Sequence, residues 1–129
     1  MPTIFTNILS GEIPCHRIAE DEQCLAFLDI RPIHPGHTLV IPKQEVNYIF
    51  DVEDDLLQHM IVFAKTVAHA IDKAVPCKRV GVIVAGLEVP HAHIHLVPIQ
   101  AVADINFANA RDTSQEELAA TAASIRAQL

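Results

Sequence analysis

Histidines alternate with apolar residues between His91 and Val97, in the order His-Ala-His-Ile-His-Leu-Val. Side chains along a β-strand point to opposite faces in turn, so this stretch predicts a strand that directs Ala92, Ile94 and Leu96 into a core. The same geometry places the three histidines on the opposite face, about 6.6 Å apart along the strand. The chain must therefore form a sheet with one apolar face and a row of imidazoles on the other.

The row consists of His91, His93 and His95. An imidazole with a pKa of about 6.5 is mostly neutral at pH 7, and crowding like charges together favours the neutral form further. Neutral imidazoles can attack an electrophile, move protons or bind a metal. A single histidine of this kind often only decorates a half-exposed strand, whereas three in register indicate a functional site.

The other predicted elements come from hydrophobic periodicity and from turn residues. They are a short helix over 5–10 closed by Gly11, strands over 13–19, 24–30, 37–41 (ended by Pro42), 80–84 and 93–99, a long helix over 52–74, and a last helix over 114–128. Strands outnumber crossover helices, so we predict an α+β fold with a mostly antiparallel sheet of about five strands.

The long helix has apolar residues at spacings of three and four, which predicts one wide apolar face. Asp51 is its predicted N-cap, and Thr113 with Glu116 forms a capping-box pattern before the last helix. The face is wide enough to serve both the sheet and a partner chain, with Met60 and Phe63 as candidate partner contacts.

Composition narrows the possible partners. The 129 residues are 50% hydrophobic with a formal net charge of −7, which predicts a single globular domain over 1–129 that binds neither nucleic acid nor anionic membrane. Cys15, Cys24 and Cys77 form no Cys-x-x-Cys pair, so we expect them to be reduced thiols. No targeting or membrane-spanning pattern is present, and a cytoplasmic protein is expected.

The histidine row resembles the signature of the histidine triad (HIT) family, in which His-x-His-x-His is followed by two apolar residues. The resemblance covers most of the chain and includes Ile4-Phe5, 11–14, 24–32, 36–43, Gly86 and 89–97. The pattern is closest to the small nucleotide-binding branch, whose members are homodimers that hydrolyse nucleoside phosphoramidates and related nucleotidyl conjugates. It implies a HIT-like fold and a second copy of the chain as partner.

The resemblance also implies roles for individual residues. The position of His93 is that of the nucleophile that attacks the α-phosphorus and forms a nucleotidyl-histidine intermediate. His95 matches the histidine that contacts the phosphate, and His91 and His37 match residues that orient the nucleophile and relay protons. Asp29 matches the carboxylate that accepts hydrogen bonds from the ribose hydroxyls, with a turn-capping aspartate as the alternative.

Further positions match the apolar pocket for the base, although each would otherwise be assigned to the core: Ile4, Phe5, Ile8, Phe27 and Ile30. The loop before the triad departs from the family, because it is short and places Leu87 and Glu88 after Gly86. An anionic Glu88 would repel a polyphosphate leaving group and favour an amine or a cationic group. The alternative is that Glu88 points to solvent.

Many relatives carry a structural zinc near the N-terminus, held by Cys-x-x-Cys and by a histidine after Pro-Lys. This chain has Thr3, Thr6 and Glu45 at those positions. Hydroxyls and one carboxylate are poor substitutes for thiolate and imidazole ligands. We therefore expect no structural zinc, no cofactor and no dependence of folding on metal.

The sequence therefore predicts a hydrolase of purine nucleoside phosphoramidates or related nucleotidyl conjugates, similar to an adenosine 5′-monophosphoramidase, acting through His93. One alternative is a nucleotide-binding regulatory or interaction protein with incidental hydrolysis. Another is a protein that binds a metal with His91, His93 and His95.

Overall fold

A computed structural model describes residues 2–129. In chain order the elements are helix α1 (Ile4–Ser10), strands β1 (Arg17–Glu20), β2 (Cys24–Leu28) and β3 (Thr38–Pro42), helix α2 (Asp54–Ala74), strands β4 (Arg79–Ile83) and β5 (Ile94–Ile99), and helix α3 (Gln115–Arg126). Short 3-10 turns lie at Ile49–Asp51, Val102–Asp104 and Phe107–Asn109. This arrangement confirms the predicted α+β fold.

The five strands form one antiparallel sheet in the order β1-β2-β3-β5-β4. His95 of β5 lies opposite Leu39 of β3 on one side and opposite Ile83 of β4 on the other. Residues directly opposite each other share a face of the sheet. His95 is therefore held between two neighbouring strands, while β4 forms an edge of the sheet.

The two faces of the sheet are covered by different helices. Helices α2 and α3 pack on one face, where Ala92, Ile94 and Leu96 enter the core together with Met60 and Ile125. Helix α1 packs on the opposite face, where the buried residues are Phe5, Ile8, Leu25, Phe27, Leu39 and Ile41. The alternation predicted from the sequence thus directs the apolar residues of the triad segment toward α2, and His95 shares the α1 face with Leu39.

Helix α2 begins two residues later than predicted, and Asp51 as its N-cap is wrong. Asp51 ends a 3-10 turn, Val52 has an extended backbone (φ −69°, ψ 132°), and Glu53 takes the N-cap position without a side-chain hydrogen bond. Ile49 and Val52 are buried. Burial of these two side chains directs the chain into the core before the helix starts, and this outweighs the local capping signal of Asp51.

The N-cap of α3 lies one residue after the predicted position, Thr113. Ser114 Oγ accepts the backbone N–H of Glu117 at 3.1 Å, so Ser114 is the N-cap. Ser and Thr cap helices by the same hydrogen bond, and the two adjacent candidates differ little in local preference.

Strand boundaries differ from the predicted ones mainly at the ends. The first strand was expected from residue 13, but Ile13 N–H donates to Asn7 O of α1 and β1 begins at Arg17. Strand β2 ends at Leu28, although the next N–H, that of Asp29, still donates to His37 O in the same register. Pro42, expected to end the strand before it, is the last residue of β3.

The prediction that Met60 contacts a partner chain is wrong, because its side chain is fully buried against the sheet. Phe63 is partly buried and stacks on His59. The exposed apolar side chains of α2 are Ile61 and Val62. Among residues 2–129, none of the helices combines the length and the apolar character that crossing a membrane requires.

Candidate active site

The triad segment enters the sheet later than predicted. Strand β5 begins at Ile94, so His91 and His93 precede it. Their backbone is held by other contacts, since His91 N–H donates to Val89 O at 2.8 Å and Ala92 N–H donates to Val46 O at 2.6 Å. The row of histidines is buried, with His91, His93 and His95 exposed by 0%, 6% and 7%.

One hydrogen bond defines which ring nitrogen of His93 carries the proton. Its Nδ1–H donates to the carbonyl oxygen of His91 at 2.7 Å. In a neutral ring the other nitrogen, Nε2, then carries the lone pair. Burial lowers the pKa of His93 below its usual value, although the hydrogen bond to His91 O opposes this effect. His93 therefore presents an unprotonated nitrogen at neutral pH.

His37 fixes the proton on His95. The backbone N–H of Ile33 donates to His37 Nδ1 at 3.0 Å, so the proton of a neutral His37 lies on Nε2. This nitrogen is 2.9 Å from His95 Nδ1 and donates to it. His95 consequently carries its own proton on Nε2, where it can donate to a phosphate oxygen.

Burial keeps these two rings neutral. It lowers the pKa of His37 to about 4 and, together with the nearby His37 and His93, lowers the pKa of His95 to about 3. At pH 7 the pair is a chain of neutral donors and acceptors. It can transfer polarisation along the hydrogen bonds without a net charge in the site.

His91 uses both of its ring nitrogens inside the protein. Its Nε2–H donates to Pro42 O at 2.9 Å, and its Nδ1 lies 3.2 Å from Thr3 Oγ1. The side chain is fully buried, and the ring of Phe5 packs against it edge to face. His91 therefore supports the site from within the core and is not placed to touch a ligand.

The hydrogen bonds leave little capacity for a metal. Within residues 2–129, Nε2 of His93 and Nε2 of His95 are the triad nitrogens without a protein partner. Asp29, His37 and His95 also lie close enough together to suggest a cation site. However, His37 Nε2 is protonated because Ile33 N–H occupies Nδ1. Structural zinc sites take four nitrogen or sulfur ligands, so this geometry favours proton-linked chemistry over metal binding.

Asp29 follows β2 and lies beside His37. Its Oδ1 accepts the backbone N–H of Arg31 at 2.9 Å. Its Oδ2 is 3.7 Å from His37 Nε2, which is too long for a hydrogen bond, and a neutral His37 makes no ion pair with it. Burial raises the pKa of Asp29. Oδ2 thus retains acceptor capacity toward a ligand.

The residues expected to line the base pocket divide into two groups. Phe5, Ile8 and Phe27 are buried on the α1 face, and Phe5 also packs edge to face against His93 at 5.1 Å between ring centres. Ile4 and Ile30 are exposed. Of the five residues, the structure thus shows Phe5 in contact with the triad rings.

Two site residues were missed from the sequence. Phe107, 45% exposed, packs edge to face on His95 with ring centres 5.0 Å apart, and it lies in a stretch without periodic pattern. Thr3 contacts His91 as the N-cap of α1; its signal was the Thr-x-x-Thr spacing.

Glu88 is exposed, yet its charge acts to raise the pKa of His93. Leu87 is also exposed.

Comparison with known proteins identifies similar chains. A family model described as HIT domain matches residues 10–102. The adenosine 5′-monophosphoramidase of Schizosaccharomyces pombe is 35% identical over 103 residues, covering 76% of this chain and 74% of that protein. The adenylylsulfatase of Arabidopsis thaliana is 32% identical over 100 residues, covering 74% of this chain and 51% of that protein.

Solved structures agree with the fold. The crystal structure of a Hit-like protein involved in cell-cycle regulation from Bartonella henselae superposes with a TM-score of 0.88. The two chains are 33% identical, and the match covers 98% of this chain and 96% of that one.

Proposed function

The chain belongs to the HIT family, and we propose that it hydrolyses nucleoside 5′-phosphoramidates, or related conjugates of a nucleoside monophosphate, through a covalent bond between His93 Nε2 and phosphorus. The observation that carries this proposal is the hydrogen bond from His93 Nδ1–H to His91 O at 2.7 Å. It leaves Nε2 as a neutral nucleophile with its lone pair available.

The first step is attack on phosphorus. The lone pair of His93 Nε2 forms the new bond while the bond from phosphorus to the leaving amine breaks, and the amine departs with a proton from water. The ring gains positive charge as the bond forms. The carbonyl of His91 accepts from Nδ1–H and so stabilises that charge.

His95 supports the same step from the side of the phosphate. Its Nδ1 accepts from His37, so its proton lies on Nε2, and this N–H has no partner among residues 2–129. A neutral donor at this position binds a non-bridging oxygen and becomes a stronger partner as negative charge develops there. In the second step water attacks phosphorus, the bond to His93 breaks with return of the electron pair to Nε2, and nucleoside monophosphate and a proton are released.

Two relatives support the choice of a nucleotidyl substrate. Their names state action on an adenosine 5′-monophosphoramidate and on an adenylyl sulfate. The adenylyl group is common to both, whereas the group attached to it differs. We propose the same adenylyl part for this chain, with an amine as leaving group, since the negative charge of Glu88 near His93 disfavours a further anionic group.

Asp29→Asn tests the ribose contact. Asn keeps an oxygen that can accept the Arg31 N–H but loses the charge, and charged acceptors bind hydroxyls about twice as strongly as neutral ones. We expect about tenfold weaker binding of adenosine monophosphate and little change for its 2′,3′-dideoxy analogue, measured by calorimetry. Equal weakening of both ligands would show that Asp29 only shapes the turn.

The alternative function is nucleotide binding with incidental hydrolysis. It is favoured by the low exposure of His93 and His95, at 6% and 7%, and by the Phe107 ring that packs on His95. A site as closed as this would hold a nucleotide but would not admit a large leaving group.

Mass spectrometry of protein quenched during turnover separates the two functions. The proposed hydrolase, mixed with adenosine 5′-phosphoramidate, should carry an added adenylyl group on the peptide that contains His93. Binding without turnover would give unmodified protein and stoichiometric bound nucleotide, and this result would reject the hydrolase proposal.

We also propose that the chain forms a homodimer, as the resemblance to the nucleotide-binding branch implies. Exposed apolar side chains on α2 and on the edge of the sheet support this assembly: Ile61, Val62, Val82 and Val84. Light scattering at micromolar concentration should give twice the chain mass of 14.2 kDa. A mass of one chain would overturn the assembly proposal and leave the chemistry of the site untouched.

A further inference from the structure

A directed set of hydrogen bonds connects the N-terminus of α1 to the triad. Thr6 Oγ1–H donates to Glu45 Oε1 at 2.7 Å, and Thr6 Oγ1 accepts the backbone N–H of Thr3 at 3.0 Å. A hydroxyl has one hydrogen to donate, and that of Thr6 is committed to Glu45. The hydroxyl of Thr3 accepts from Thr6 N–H at 3.2 Å and lies 3.3 Å from Thr6 Oγ1. Because Thr6 Oγ1 already accepts from Thr3 N–H, we assign the Thr3 hydrogen to its other neighbour, a ring nitrogen with no other donor among residues 2–129.

That neighbour is His91. Thr3 Oγ1 lies 3.2 Å from His91 Nδ1, and His91 Nε2–H donates to Pro42 O at 2.9 Å. Because a carbonyl can only accept, the proton of the neutral ring lies on Nε2 and the lone pair on Nδ1 faces Thr3. Thr3 and His91 are both buried, so bulk water does not replace the hydroxyl.

The position of His91 in turn decides that of His93. The carbonyl of His91 accepts from His93 Nδ1–H, yet both residues precede β5, and the β3–β5 ladder begins only at the pair Val40 and Ile94. The strand ladder therefore does not hold this carbonyl in place. The same peptide group is held through Ala92 N–H, which donates to Val46 O at 2.6 Å. The ring of His91, anchored at both nitrogens, adds a restraint through the side chain.

We propose that Thr3 is a positioning residue for the nucleophile: its hydroxyl holds the His91 ring, which aligns the His91 carbonyl with His93 Nδ1–H. Thr3, Thr6 and Glu45 occupy the positions where the resemblance places zinc ligands in many relatives. The same link between the N-terminal helix and the triad is made here by hydroxyls and a carboxylate. This inference adds to the proposed function a residue that touches no substrate.

Thr3→Val and Thr3→Ser form the central comparison. Val has nearly the shape of Thr but lacks the hydroxyl, whereas Ser keeps it. We expect Thr3→Val to lower kcat about tenfold with KM changed less than about threefold, because substrate contacts stay intact while alignment is lost. Thr3→Ser should restore kcat to within about threefold of the original protein.

Thr66→Val is the matched control. Its hydroxyl donates to Val62 O on the exposed surface of α2 at 3.3 Å, so the same chemical change is made away from the triad. Its kinetic constants should stay at those of the unaltered protein. Equal losses in Thr3→Val and Thr66→Val, or no rescue by Thr3→Ser, would overturn the positioning role.

A measurement independent of turnover separates this inference from the proposed function. In nitrogen-15 spectra of the unaltered protein, His91 should show the Nε2–H form and His93 the Nδ1–H form. The His93 Nδ1–H proton should exchange with water about tenfold faster in Thr3→Val. Opposite ring forms in the unaltered protein would refute the positioning role even if Thr3→Val did not fold. The ring forms could be as expected and exchange faster in Thr3→Val while the unaltered protein has no phosphoramidase activity. This result would reject only the proposed hydrolysis.

Discussion

His93→Ala should remove nearly all turnover of an adenosine phosphoramidate while nucleotide affinity stays within about tenfold of its original value. In the proposed mechanism His93 Nε2 supplies the electron pair for the new bond, whereas Asp29 and His95 make the ribose and phosphate contacts. We expect kcat/KM to fall by at least about a thousandfold, because His95 carries its proton on Nε2 and both ring nitrogens of His91 have partners, so neither ring can replace His93. Steady-state kinetics and calorimetry on the same preparation check both parts.

Two further variants make this result interpretable. In His93→Asn the side-chain amide can still donate to His91 O, so the backbone restraint is kept while the nucleophile is lost. It should be as inactive as His93→Ala. His69→Ala, which removes an exposed histidine of α2, should keep full activity. Activity at a tenth of the original level in either His93 variant would contradict covalent catalysis by this residue.

The sequence predicted the elements that follow from periodic patterns. The spacing of Leu56, Met60, Ala64, Val67 and Ile71 placed a long helix over one face of a sheet, as the structure shows. The alternation over the triad assigned Ala92, Ile94 and Leu96 to the core, and they lie there. These periodic patterns follow directly from which side chains are buried, so they can be recognised in the sequence without a structure.

The exposure of the histidines was not predictable in the same way. Alternation assigns a side chain to a face but carries no information about what covers that face. Here Phe5 from α1 packs on His93, and Phe107 from the turn after β5 packs on His95. Both contacts depend on where distant segments return to the sheet.

The protonation pattern of the site also depends on distant partners. The proton position on His37 is set by Ile33 N–H, and that on His91 by Pro42 O, which lies 49 residues away in the chain. The contact of Thr3 with His91 spans 88 residues. Residue type alone allowed metal binding, proton transfer and nucleophilic attack. The backbone groups at each ring nitrogen are what favour the last two.

Lowering the pH from 7 to 5 should destabilise the fold by about 4 kcal/mol through His37 and His95 alone. In the folded chain the pKa values of these rings are about 4 and about 3, against about 6.5 in an unfolded chain. Between these values the unfolded chain binds more protons, so stability rises with pH. The stability that the two rings contribute is fully present above about pH 6.5. It is lost progressively as the pH falls toward their pKa values in the folded chain.

The neighbouring groups do not cancel this effect. Burial also lowers the pKa of His93, which adds to the loss. Burial raises the pKa of Asp29, which acts in the opposite direction. One carboxyl thus opposes three imidazoles. The net loss between pH 7 and 5 is therefore set by the histidines.

Denaturant unfolding at several pH values measures this dependence. At pH 5 unfolding should take up about two more protons than at pH 8, seen as the slope of the free energy of unfolding against pH. His95→Gln should reduce that uptake by about one proton, since it removes one of the two titrating rings. A free energy of unfolding that stays level between pH 7 and 5 would mean that the folded chain takes up as many protons as the unfolded one, so that the buried pair becomes charged in this range. Charged rings at His37 and His95 would be incompatible with the donation of Ile33 N–H to His37 Nδ1, on which the neutral donor at His95 depends.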